Sequence, residues 1–142
     1  MEGNQTKQDA TPFSDVLEGV TIHDARCVGV YDGDSITVHM AIPFFEKKVL
    51  YEFKCRLSGI DTAEMRGTSG AEKEKAVLAR DVLRGWILDK EVVCHCHDLD
   101  KYGRLLIEVH LPGEEISCNA RLIEEGLALP YDGGTKASHK CL

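Results

Sequence analysis

Apolar and polar residues alternate at period two in three runs of the N-terminal half of this chain. Thr21 to Tyr31 carries Val28 and Val30, and Ser35 to Ile42 carries Ile36, Val38 and Met40. Val49 to Leu57 offers Leu50, Tyr51, Phe53 and Cys55 for packing. Successive strand side chains point to opposite faces, so this period predicts strands. Tyr31-Asp32-Gly33-Asp34 joins the first two runs, and Asp-Gly between alternating runs is a hairpin signal. Pro43-Phe44-Phe45-Glu46-Lys47-Lys48 reads as a second, longer connection. An antiparallel meander is the expected arrangement.

The period then changes. After the small, polar run Arg66-Gly67-Thr68-Ser69-Gly70, the residues Ala76, Ala79, Leu83 and Trp86 recur at steps of three and four, one face of a helix that Asp89-Lys90 ends. Glu91 to His97 and Arg104 to His110 predict two further strands, rich in valine, leucine and isoleucine. Pro112-Gly113 marks a turn, and Ser117 to Glu125 a short helix with Leu122 and Ile123 inward and Gly126 as its C-terminal cap. Five short strands with a helix between the third and fourth is the order of an OB-fold. The expected class is α+β, mainly β: a five-stranded OB-fold barrel with two to three helices. Residues 1–20 are expected to be a mobile tail, 21–131 the domain and 132–142 a short C-terminal tail.

Composition narrows the function. A chain of 142 residues, 43% apolar and 29% charged, fits one soluble domain. No apolar run approaches the roughly 20 residues that span a bilayer, and the start lacks the pattern of a secretory signal. An intracellular, cytoplasmic location with no membrane partner is therefore expected. Six cysteines in such a protein are expected to be reduced and to pack as small apolar groups. In Cys94-His95-Cys96-His97 a strand would put the cysteines on one face and the histidines on the other, which argues against one shared zinc ion. The net charge of −7 has the wrong sign for binding long nucleic acid by bulk electrostatics. Local cations or a bound metal would have to attract a polyanion.

Three polar clusters fall in turns, where a rigid barrel displays working residues: Asp32-Gly33-Asp34, Arg56 to Glu64, and Asp100-Lys101-Tyr102-Gly103-Arg104. The second places a cation and two carboxylates close together, and like charges about 4 Å apart repel by roughly 4 kcal/mol at an effective dielectric of about 20. It reads either as a surface turn with an incidental ion pair, or as two acids holding a divalent cation beside an arginine aimed at an anion.

These motifs resemble those of the staphylococcal nuclease-like (thermonuclease) family. Asp32-Gly33-Asp34-Ser35 matches its D-G-D-S/T, Arg56 to Glu64 its R-L-x-x-I/V-D-T-P-E, and Asp100 to Arg104 its D-K-Y-G-R. Asn119 and the run ending at Ala128 resemble its late helix and the turn after it. The resemblance covers most of the chain and implies a calcium-dependent phosphodiesterase acting on DNA and RNA with little sequence preference. It would make Asp34 and Asp61 carboxylate ligands of one calcium ion and Thr62 a backbone ligand. Glu64 would act on the attacking water, Arg56 and Arg104 on the scissile phosphate, and Lys101 and Tyr102 on a neighbouring phosphate. Tyr131 would pack on a nucleotide. Ala63 departs from the family's proline, which loosens the turn that aims Glu64. The chain is expected to work as a monomer. Two other readings remain open: a non-catalytic nucleic-acid- or protein-binding module, like the nuclease-like repeats of Tudor-containing proteins, and a purely structural OB domain that engages proteins. Retention of Asp34, Arg56, Asp61, Glu64 and Arg104 favours catalysis.

Overall fold

Strand β1 (Thr21–Asp32) turns through two residues into β2 (Ser35–Phe44), which returns at once as β3 (Lys47–Leu57). These form the antiparallel meander that the alternation predicts, paired from Asp32↔Ser35 and from Ser35↔Arg56 outward. The computed structural model describes residues 10, 16–44, 47–64 and 70–131. The second connection is shorter than its sequence suggests, because Phe44 already pairs with Lys47. The side chains of Phe44 and Phe45 lie outside the described residues.

A two-residue strand, β4 (Ile60–Asp61), precedes helix α1 (Ala71–Ile87). Strands β5 (Glu91–Leu99) and β6 (Leu105–His110), helix α2 (Cys118–Glu124) and a last short strand, β7 (Leu129–Pro130), complete the order. The five long strands close into a barrel in the order β1-β2-β3-β6-β5. Antiparallel pairing of β1 with β5 closes one side, and a parallel seam of Cys55↔Leu105, Arg56↔Leu106 and Leu57↔Ile107 joins β3 to β6. This is the OB-fold barrel, with two helices among the described residues.

The core lies inside the barrel. Cys27, Val38, Met40, Leu57, Val92, Cys94, Ile107 and Val109 are buried there, with Leu83 and Ile87 of α1 and Leu122 of α2 at its margins. On α1 the buried face is Ala76, Ala79, Leu83 and Ile87; Trp86 is half-buried, its ring 3.9 Å from the Arg121 guanidinium. Cys94 and Cys96 are buried while His95 is exposed and His97 partly so, as strand alternation requires. All five described cysteines are buried free thiols, and burial pushes Cys27, Cys96 and Cys118 up to about 11. Packing reaches back before β1: Leu17 lies against the core, and the Gly19 amide donates to the Cys96 carbonyl at 2.8 Å.

Helix α2 is capped at both ends. The Ser117 hydroxyl accepts from the Ala120 amide. Gly126, at φ 76°, lets its own amide and that of Leu127 turn back to the carbonyls of Ile123 and Leu122, at 3.0 and 2.9 Å. That reversal sends the chain into β7, which pairs with β4 as Ile60↔Pro130 and Asp61↔Leu129. Neither short strand shows a period in the sequence, because two residues are too few to display one.

Candidate active site

The turn between β1 and β2 consists of Gly33 and Asp34. Gly33 does not adopt a left-handed φ. Its need is for space: a Cβ there would stand 2.8 Å from the Ala79 Cβ and 3.1 Å from Thr62 Cγ2. The turn can therefore lie directly against α1 and Thr62. Asp34, only 7% exposed, is fixed through both backbone and side chain. Its carbonyl accepts from the Leu57 amide at 2.9 Å. Its Oδ2 accepts from the Thr62 amide and from Arg56 Nη2, both at 3.3 Å, and its Oδ1 from the Ser35 hydroxyl at 3.3 Å.

Arg56 is the middle residue of the parallel seam and is also buried. The chain reverses after it through Gly59, at φ 80°, and returns as β4, bringing Asp61 back beside the arginine. Arg56 Nη2 donates to Asp61 Oδ1 at 3.2 Å while holding Asp34 Oδ2, so one nitrogen bridges two carboxylates. Nη1 donates to the carbonyls of Ile60 at 3.0 Å and Leu57 at 3.4 Å. A planar fork that serves two carboxylates with one nitrogen and two carbonyls with the other suits a guanidinium and not an ammonium. The Arg56 guanidinium carbon lies 5.2 Å from the centre of the Tyr131 ring. The β4–β7 pair carries Tyr131 there, helped by its amide, which donates to the Gly59 carbonyl at 2.8 Å.

The third turn is organised by Asp100. Its Oδ1 accepts from the amides of Tyr102 and Arg104 at 2.8 and 2.9 Å, and its Oδ2 accepts from Arg104 Nε at 2.8 Å. Burial alone would push this carboxyl up, but those two amides and the arginine outweigh it and hold it below its ordinary value of 3.8. Arg104 Nη1 then donates to Ser35 Oγ at 3.3 Å. Lys101 and Tyr102 are exposed, and the Tyr102 ring has both Lys101 Nζ, at 5.4 Å, and the Arg104 guanidinium, at 5.7 Å, near its centre.

A continuous chain of contacts thus runs Arg104–Ser35–Asp34–Arg56–Asp61, and it joins the three turns named from sequence. Thr62 belongs to it through its amide and Tyr131 through its ring. Lys101 and Tyr102 border it. Glu64 is exposed, three residues beyond Asp61, and Ala63, standing where the motif has proline, is buried. Sequence reasoning assigned no role to Ser35 or Asp100, although both lie inside the quoted motifs. It also left Asn119 without a task. Asn119 is buried, accepts from the Val109 amide and donates to the carbonyls of Ser58 and Ile107 at 2.8 and 3.0 Å. It fastens the turn after β3 to β6 and α2.

The donor set bears on a metal. Among the described residues no three His, Cys, Asp or Glu side chains are grouped to hold an ion. Asp34 and Asp61 are two buried carboxylates that converge on one cationic nitrogen. Beside them Thr62 Oγ1 is buried with no hydrogen-bond partner among the described residues. Oxygen donors of this kind fit a hard ion, which takes several further ligands from water, carbonyls or phosphate.

Fold and site together define an OB-fold domain with an acid–arginine centre built on its connections. The staphylococcal nuclease homologue family matches residues 54–141, more than half of the chain, and the chain belongs to that family. The match begins two residues before Arg56, so Asp34 and Ser35 lie outside it and are tied to the site by contacts alone. No curated protein matches the chain.

Proposed function

We propose that this protein is a metal-dependent phosphodiesterase that hydrolyses DNA or RNA with little sequence preference, using calcium. The observation that carries the reading is the contact chain from Arg104 to Asp61, which gathers two arginines and two acids from three separate turns. A purely structural domain has no need to hold three charged side chains, Asp34, Arg56 and Asp61, so far from solvent, because burying charge is costly unless the charges are paired.

Asp34 and Asp61 would hold the ion through their carboxylates and Thr62 through its carbonyl. Bound there, calcium would add positive charge beside the phosphate and make a nearby water more acidic. Arg56 and Arg104 would donate to the non-bridging phosphate oxygens and offset the charge that grows on them as water attacks phosphorus. Glu64, exposed at the edge of the site, would take the proton from that water as the new P–O bond forms and the bond to the leaving ester oxygen breaks. Lys101 and Tyr102 would meet the next phosphate along the strand, and Tyr131, already against Arg56, would pack on a nucleotide. With a net charge of −7, binding would rest on these local groups more than on the field of the whole protein.

The test is digestion of single-stranded DNA, duplex DNA and RNA with calcium, with magnesium and with chelator. Calcium-dependent cleavage is expected, and Glu64→Gln should lower turnover by about 10²–10⁴-fold while leaving nucleotide binding in place. If no substrate is cut with either metal, the domain is the non-catalytic binding module.

A further inference from the structure

Strand β3 is only half enclosed. Its last residues, Cys55 to Leu57, pair with β6, whereas Lys47 to Lys54 pair with β2 alone among the described residues. Along that free edge Val49, Leu50, Tyr51 and Phe53 succeed one another, and Leu50 and Tyr51 are 65% and 41% exposed. The sequence reading assigns both to packing, yet Leu50 stands mostly in solvent and Tyr51, with its ring 6.5 Å from that of Phe53, keeps 41% of its surface exposed. A long unpaired edge with apolar side chains is a template for another strand.

We propose that the free edge of β3 pairs with the same edge of a second copy, antiparallel about a two-fold axis at Leu50, to make a homodimer with one continuous sheet. The charge order of the strand points to a second copy. Lys48-Val49-Leu50-Tyr51-Glu52 runs cation, three apolar residues, anion, so reversing one copy against the other sets Lys48 opposite Glu52 twice. Leu50 then faces Leu50 between those pairs, and Val49 faces Tyr51 on the other side of the sheet. Antiparallel neighbours share a face only when the offset between copies changes by two residues. Sliding two residues one way sets Lys48 opposite Lys54 and Leu50 opposite Glu52; sliding the other way sets Lys48 opposite Leu50 and Lys47 opposite Tyr51. Of these registers only the axis at Leu50 sets Lys48 opposite Glu52 and Leu50 opposite Leu50, although Lys47 then stands opposite Phe53 at its margin; like charges directly opposed are destabilising.

In the single chain Lys48 reaches Asp24 at 3.5 Å and Glu52 reaches His39 at 3.1 Å, and all four side chains are at least one-third exposed. Such surface pairs are readily exchanged. Pairing ends before Arg56. At about 3.4 Å per residue along the strand, Arg56 lies about 20 Å from the axis, so the two arginines of a dimer stand about 40 Å apart. The interface is isologous, as two-fold dimers require. The monomer expected from the residues alone does not account for this edge.

Sedimentation velocity on the full chain across the micromolar range tests the proposal. The parent is expected to approach twice the monomer mass as concentration rises. Glu52→Lys and Lys48→Glu, each opposing like charges, should stay monomeric with unchanged circular dichroism. The double variant Lys48→Glu/Glu52→Lys restores the complementarity and should dimerise again. A parent that remains monomeric overturns the proposal. So does a dimer indifferent to the single reversals, or a double variant as monomeric as its singles.

Discussion

Arg56 and Arg104 share a chain of contacts but differ in how deeply they are held. Arg56 is 8% exposed and neutralises two buried acids, whereas the Arg104 side chain is 31% exposed and answers to Asp100 and Ser35. Removing Arg56 leaves Asp34 and Asp61 facing each other without their cation, and breaking a buried pair costs about 3–5 kcal/mol. Arg56→Ala is therefore expected to lower the urea midpoint together with activity, while Arg104→Ala lowers activity with a much smaller change in midpoint. Asp100 adds a pH term. Its carboxyl sits below 3.8 in the folded protein, so the folded state holds that proton less tightly than the unfolded chain does. The stabilisation is full above 3.8 and is lost as pH falls through the lower folded value. Asp100→Asn should flatten that part of the stability profile, measured by urea midpoints on either side of 3.8, and should loosen Arg104 at every pH.

At the scale of elements, the five long strands and both helices were legible because each is long enough to display its period. β4 and β7 were not, and their pairing is what turns Asp61 and Tyr131 toward Arg56. The acids and arginines of the site could be named from motif spacing. Ser35 and Asn119 could not be given tasks that way, since each reaches a partner 10 to 69 residues away, as with Asn119 to Val109 and Ser35 to Arg104, and Asp100 could not because two of its three bonds go to backbone amides that carry no sequence signature. Gly33 is instructive because Asp-Gly did announce a hairpin, but for another reason. The turn needs room against Ala79 and Thr62, not a left-handed φ. Gly33→Ala is expected to destabilise by about 1–3 kcal/mol through overpacking. Adding Ala79→Gly should recover part of that despite its own helix cost of about 1 kcal/mol. Urea denaturation of the two single variants and the double would reveal the coupling; strict additivity would mean that the turn moves away freely.

For the molecule as a whole, the described residues include no helix long and apolar enough to cross a membrane. Among the described residues the barrel strands bury four thiols, Cys27, Cys55, Cys94 and Cys96, and close through a parallel seam only three residue pairs long. Arg56 is the central residue of that seam, flanked by Cys55 and Leu57. The seam also joins strands distant in sequence, because parallel neighbours cannot be linked by a tight turn. One set of backbone bonds thus serves both to shut the barrel and to seat the arginine that holds the acids. The consequence is a matter of heat. If strands β3 and β6 part locally, the site is dismantled while most of the barrel is still folded, since opening can be sub-global. Loss of the proposed phosphodiesterase activity on warming should then run several degrees ahead of the loss of the circular dichroism signal. The Ser58 amide, bonded to the Ile107 carbonyl of β6, should exchange with solvent sooner than the amides of the β2 centre. Coincident inactivation and unfolding curves would show instead that seam and barrel melt as one.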